Sequence, residues 1–226
     1  MISFLTNYII KANILLYPGQ AGTSCRFPGY TDCNERLGVI NMSKVYIFLA
    51  DGFEEIEGLT VVDLLRRAGI DIDMVSISGS LEVLGGHNIT VKADMLFEDG
   101  DYLDADMLVL PGGKVGTDNL AAHEGLDRLL RDFASKSKLL AAICAAPSVL
   151  GSKGLLDGKK AICYPGFEGY LKGATITDEA VVTDGNVITS KGMGTAIDFA
   201  LAIIKKLKTE EEAEKIAASI QYAHYN

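Results

Sequence analysis

From Met42 onward the chain alternates short apolar runs with amphipathic stretches, and nothing else in it restricts the fold as strongly. Val45–Ala50, Asp71–Ile77, Met107–Leu110 and Leu139–Ile143 are too short for independent helices and carry the branched, apolar residues of buried strands. Glu55–Ala68 instead repeats its apolar residues at helical spacing. Ile56, Leu59, Val62, Leu64 and Leu65 are its expected core positions, and Gly69 is its expected cap. Gly125–Ala134, Ala196–Leu207 and Glu210–Tyr222 read as further helices, and Pro147–Leu150 opens another. Lys160–Cys163 reads as a strand. Leu81–Leu84 and Ile89–Lys92 read as a hairpin about Gly85 and Gly86. Ala180–Thr183 and Val187–Ser190 flank Asp184-Gly185, a strong hairpin turn. Strands alternating with helices predict an α/β, doubly wound, mostly parallel sheet with helices on both faces.

Residues 1–41 lack any such period and carry turn punctuation at Pro18-Gly19 and Pro28-Gly29. The expected organisation is therefore a disordered or non-native N-terminal extension over 1–41, such as an upstream start assignment would produce. One domain over 42–226 follows it. The 226-residue chain is long enough for one full hydrophobic core, and 48% hydrophobic with 23% charged residues suits a soluble globular protein. A net charge of −9 with no basic stripe argues against nucleic acid as the main partner and against a polybasic membrane anchor. No run approaches the roughly 18 apolar residues of a membrane helix. The first residues loosely resemble a signal peptide, but a positive start is missing and Lys11 interrupts the run. Four cysteines (Cys25, Cys33, Cys144, Cys163) form no regular framework, so a reducing cytoplasm is expected.

In parallel sheets the site lies beyond the carboxyl ends of the strands, which here carry Asp51–Glu57, Pro111–Gly113, Cys144–Pro147, Tyr164–Glu168 and Ser190–Gly194. Cys144 ends an apolar strand, and small residues then open a helix at Pro147. Such a thiol faces a helix N-terminus, whose free N–H groups favour a thiolate. The blander reading is a small buried hydrophobe. The Ala145 N–H beside the sulfur, with that of Gly112 or Gly113 across the cleft, would make an oxyanion hole. Glu54, Glu55 and Glu57 open a helix, where carboxylates are favoured for dipole reasons alone. Glu54 and Glu57 share a face, and one of them could turn toward Cys144 as a desolvated, protonated carboxyl. Gly192-Met193-Gly194 opens a helix after a strand, but Ile197 stands where a dinucleotide loop needs its third glycine, so no nicotinamide site is expected. No cofactor is implied. His87, His123 and His224 have no ligand spacing, so no metal is expected. No histidine follows Cys144 before His224, which leaves a Cys–His hydrolytic pair without support. Cys163 also ends a strand; it is either a second redox-sensitive thiol or an inert buried residue.

Together these motifs resemble the DJ-one/ThiJ/PfpI superfamily, in the branch of the Parkinsonism-associated protein deglycase. The resemblance runs from Met42 to about Ala202. It rests on Ala50–Glu57, Arg66–Gly69, Leu110–Gly113, Asn119-Leu120, Ala141–Pro147, Tyr164–Glu168 and Thr189–Thr195 in this order. It implies a flavodoxin-like domain and a homodimer. It carries the family's reactive cysteine onto Cys144 and the partner carboxyl onto Glu57, with Glu54 and Glu55 alongside. It also places the oxyanion-hole amides on Gly113 and Ala145. Gly112, Tyr164, Pro165 and Cys163 fall beside the site. The activities it implies are glutathione-independent glyoxalase action on methylglyoxal and protein deglycase action. The alternatives are oxidant sensing or chaperone activity through Cys144. A peptidase is disfavoured, because Ala145 stands where that branch has histidine. Tyr164 stands where the best-studied deglycase has histidine, and His87 stands where that relative has an anion-pocket arginine.

Overall fold

The computed structural model describes residues 43–223; the expected extension over 1–41, with Cys25, Cys33 and His224, lies outside them. The first strand, β1 (Lys44–Leu49), is buried on both faces, as a central parallel strand must be. Val45, Ile47 and Leu49 enter one apolar cluster, and Tyr46, Phe48 and Ala50 enter the other. The period-two alternation thus feeds two cores, one on each face of the sheet. Each fully buried leucine or phenylalanine in them contributes about 1.5–3 kcal/mol relative to an exposed one.

Helix α1 (Glu55–Arg67) follows β1 and returns to β2 (Asp71–Ser76), which pairs parallel with β1. The excursion β3 (Glu82–Leu84) and β4 (Thr90–Lys92) is an antiparallel hairpin, and β5 (Met95–Leu96) then adds to the edge of β2. The chain crosses to β6 (Met107–Leu110), on the other side of β1. Helices α2 (Lys114–Ala122) and α3 (Glu124–Ser135) lead to β7 (Leu139–Ile143), and α4 (Pro147–Ser152) follows it. A small parallel pair, β8 (Lys160–Ala161) and β9 (Thr175–Ile176), stands apart from the main sheet. The hairpin β10 (Val181–Asp184) and β11 (Val187–Ser190) closes the far edge, and α5 (Ala196–Leu207) and α6 (Glu210–Ser219) end the described chain. The sheet order is β10-β11-β7-β6-β1-β2-β5, parallel except for β10. Helices α1, α5 and α6 cover one face, and α2, α3 and α4 cover the other. This is the flavodoxin-like, doubly wound arrangement. The connection from β1 runs over one face through α1, and that from its neighbour β6 over the other through α2 and α3, so the crevice opens at the carboxyl ends of β1, β6 and β7.

Several expectations change. Ile56 is 52% exposed, whereas Val61 is fully buried. The inward stripe of α1 is Glu57, Val61, Leu64 and Leu65, a helical repeat that begins on a carboxylate, so periodicity judged on apolar residues alone started one position early. Lys160–Cys163 is a strand only over Lys160–Ala161, and it pairs with β9 rather than the main sheet. Beyond Ala161 the Ile162 N–H donates to the Thr189 side chain at 3.0 Å, which ends the ladder. Finally, α6 stops at Ser219 instead of reaching Tyr222, and α2 was not expected at all.

Candidate active site

Strand β7 delivers the chain to Cys144, whose φ is +64°. A non-glycine residue in this region costs roughly 1–2 kcal/mol, because its Cβ crowds the backbone carbonyl. Two hydrogen bonds impose the conformation: the Cys144 N–H donates to the Ser190 carbonyl at 2.9 Å, and the Cys144 carbonyl accepts from the Tyr164 N–H at 2.7 Å. Pro147 starts α4 at the first helical position, where its missing N–H leaves nothing unpaired. The result is a sharp elbow with a half-buried sulfur packed against the core on the α1 and α5 side.

Glu57 meets it from α1. The side chain is 1% exposed, and its Oε2 accepts the Gly112 N–H at 2.9 Å. Its Oε1 is sealed from solvent and has no hydrogen-bond partner. Gly112 is where carboxyl and cysteine converge: an added Cβ would lie 2.5 Å from Glu57 Oε2 and 2.6 Å from Cys144 Cβ. Gly113 adopts φ +88°, and a Cβ there would come within 2.3 Å of the Gly52 carbonyl oxygen. Glycines at both positions let the loop after β6 press against the start of α1. The Gly113 and Ala145 amides act on the Cys144 sulfur in favour of its charged form, and the Glu57 carboxyl acts against it.

Burial dominates the protonation of this pair. It lifts Glu57 from 4.5 to about 7, with the charge of Glu54 adding to the rise; the hydrogen bonds from Cys144 and Gly112 oppose it. Burial, then the charge and hydrogen bonding of Glu57, push the Cys144 thiol from 9.0 to about 12; the amides of Ala145 and Gly113 pull the other way and lose. Burial thus works against the thiolate that the elbow was expected to favour. A six-residue helix and two amides do not offset the loss of water around the sulfur. As pH rises through neutrality Glu57 gives up its proton first, and the thiol keeps its own. A thiolate forms when the thiol proton crosses to Glu57, the nearest base.

The other acidic residues serve the hairpin. Glu55 is buried, accepts the His87 N–H at 2.7 Å and pairs with His87 Nδ1 at 2.9 Å; Glu54 stands 3.7 Å from the same nitrogen. These residues lie 32 positions apart in sequence, so spacing gave no sign of the cluster, which groups three possible metal ligands within 4.8 Å. Its ligand atoms are engaged with one another. His123 accepts the Leu126 N–H at Nδ1 and so caps α3. Neither described histidine is thus paired with the thiol.

Tyr164 and Pro165 are exposed at the rim, and Cys163 is fully buried. Cys163 packs into the α2–α4 core, whereas Cys144 packs against the core on the other face of the sheet. Burial first, then the charge of Glu168, pushes the Cys163 thiol up to about 11, as befits an inert core residue. Gly192, on a strand end read as part of the crevice but given no role beside the thiol, stands close to it: a Cβ there would lie 3.3 Å from the Tyr164 ring and 4.0 Å from the Cys144 sulfur. Its place at the carboxyl end of β11 was the available signal.

Relatives share this architecture. The chain is 36% identical over 186 residues to protein dj-1beta of Drosophila melanogaster, covering 81% of this chain and 100% of that protein. It is 35% identical over 175 residues to protein DJ-1 homolog B of Arabidopsis thaliana, covering 77% of this chain but only 40% of the relative. The chain thus spans about two fifths of that relative's length. The structure of oxidized Toxoplasma gondii DJ-1 superposes with a TM-score of 0.78 at 36% identity, covering 80% of this chain and 100% of the other. The family model for DJ-1/PfpI matches residues 43–206, which takes in every strand end described above, and the chain belongs to the DJ-1/PfpI family.

Proposed function

We propose that the chain is a cysteine-dependent enzyme acting on methylglyoxal-type 2-oxoaldehydes or their early protein adducts, in the manner of a glutathione-independent glyoxalase III or protein deglycase. The observation that carries this reading is the buried Glu57 carboxyl, lifted to about 7 against the Cys144 thiol. A base poised near neutrality beside a nucleophile is what proton transfer between carbons requires. Glu57 takes the thiol proton as sulfur attacks the aldehyde carbon. The new S–C bond leaves an oxyanion that the Gly113 and Ala145 amides would stabilise, and the returned proton converts it to a hemithioacetal. Glu57 then removes the proton from the former aldehyde carbon and returns it to the neighbouring carbon, while the hemithioacetal hydroxyl gives its proton up and the former ketone oxygen takes one. The ketone becomes a secondary alcohol and the hemithioacetal carbon becomes a thioester. Water cleaves the thioester to a 2-hydroxy acid and frees the thiol. Electrons move only within the substrate, so no external oxidant, cofactor or metal enters the balance. Tyr164, in a histidine's place, lies at the rim and moves no proton in this scheme.

The test is Cys144→Ser assayed for lactate from methylglyoxal without metal or glutathione. Loss of turnover is expected; full rate in the variant overturns the mechanism. A second reading has its own support. Two amides and a protonated Glu57 would equally hold an oxidised sulfur, which makes Cys144 a candidate redox sensor in an oxidative-stress protein or chaperone. Peroxide titration read by intact mass separates the two: oxidation confined to Cys144 without aldehyde turnover favours the sensor. The family's habit supports a homodimer. The acidic charge, and the absence among described residues of a helix fit to cross a membrane, accord with a cytoplasmic role without nucleic-acid partners.

A further inference from the structure

Gly192 has a backbone that does not need glycine. Its φ of 163° is ordinary extended geometry, open to any residue, unlike the left-handed φ of Gly113 at +88°. What glycine supplies at 192 is room. The first atom of a side chain there would enter the space between the Tyr164 ring, 3.3 Å away, and the Cys144 sulfur, 4.0 Å away. Both walls of this space are tied to the cysteine itself. The Tyr164 N–H donates to the Cys144 carbonyl, and the Cys144 N–H donates to Ser190, two residues before Gly192. Thr195 braces the second wall: its Oγ1 bonds Ser190 Oγ at 2.7 Å, donates to the Gly192 carbonyl at 2.8 Å and accepts the Gly192 N–H at 3.2 Å. The width is therefore set by fixed backbone, with the half-exposed Tyr164 ring as the outer edge.

We propose that Gly192 and Tyr164 form a slot over the Cys144 sulfur that admits slim, unbranched carbonyl carbons and turns away branched or aromatic ones, making these two the specificity-determining residues of the site. This deepens the reading of Cys144 as the reacting nucleophile and rests on it. Glyoxal and methylglyoxal fit such a slot; phenylglyoxal does not. A protein adduct enters only when its reactive carbon stands at the tip of an extended side chain.

The test separates the slot from the enzyme reaction by using alkylation of the thiol. With iodoacetamide, sulfur forms the S–C bond, iodide leaves and the thiol proton goes to solvent; with N-phenylmaleimide, sulfur adds to the ring double bond and the proton ends on the adjacent carbon. Rates at Cys144 are followed by peptide mass mapping in the full chain and normalised to free cysteine. Tyr164→Ala is expected to raise the ratio of maleimide to iodoacetamide rates, and Gly192→Ala to lower it, each by about tenfold or more, the scale of one methylene in a shaped pocket. A ratio unchanged in Tyr164→Ala overturns the slot, even if Gly192→Ala fails to fold. If the slot holds while no variant or wild-type protein turns over methylglyoxal, the alkylation result stands and only the enzymatic reading falls.

Discussion

Replacing Glu57 with glutamine should stabilise the protein at alkaline pH and leave its stability almost unchanged in acid. Glutamine has the carboxyl's shape, and its oxygen can accept the Gly112 N–H that Glu57 Oε2 now accepts. It removes a carboxylate that burial makes costly. The native carboxyl is lifted from 4.5 to about 7, so between these values the folded protein binds a proton that the unfolded chain has released. Wild-type stability must therefore fall as pH rises through that window and level off above it. At about 1.36 kcal/mol per pH unit, the gap corresponds to about 3 kcal/mol. For a domain of this size that is roughly 6–12 °C in melting temperature. The Cys144 thiol, pushed up to about 12, stays protonated throughout and adds no titration of its own. The assay is thermal unfolding of both proteins from pH 4.5 to pH 8, the titration window set by the same shift. The glutamine variant should gain on the wild type through the window while losing turnover. Melting curves that stay parallel across it would show that the carboxyl is not held near neutrality, and the case for Glu57 as base would collapse.

Cys144 offers an independent check on the elbow. Cys144→Gly and Cys144→Ala both lose the sulfur, but only glycine accepts φ +64° without crowding, so glycine should be the more stable variant by about 1 kcal/mol in urea unfolding; an alanine variant equal to or above it would mean the elbow is unstrained. The hairpin should respond to pH through His87. Its hydrogen bond to Glu55, then the charge of Glu54, raise His87 above 6.5; burial raises Glu55, but the His87 hydrogen bonds outweigh it and bring Glu55 below 4.5. The pair is therefore fully formed between the two values, loosening as pH climbs through the raised histidine value or drops through the lowered glutamate value. Amide exchange over Glu82–Lys92, corrected for intrinsic rate, should lose protection as pH rises, and His87→Gln should abolish that step.

The alternation of apolar runs was enough to specify a parallel sheet covered on both faces, since short strands separated by helices have few other ways to bury themselves. Strand ends carrying Cys144, Glu57 and the Gly112-Gly113 pair were legible too, because an ordered set of motifs survives in one dimension. Ile56 was misplaced, since apolar periodicity cannot show that a carboxylate, Glu57, begins the buried stripe of α1. Burial also works against the thiolate that the turn was expected to favour. Amide donors are implied by a strand-to-helix turn, but desolvation depends on everything packed around the sulfur. Cys163, read as either a second redox-sensitive thiol or a buried core residue, packs in the core cluster on the other side of the sheet from Cys144. The His87–Glu55 pair joins residues 32 apart, and the Gly192–Tyr164 slot joins two loops across the sheet end. Local sequence thus determined which elements form and which chemical groups stand at their ends. Only the tertiary structure decided which of those groups share a solvent-free space, because burial and through-space charge depend on neighbours that are distant along the chain.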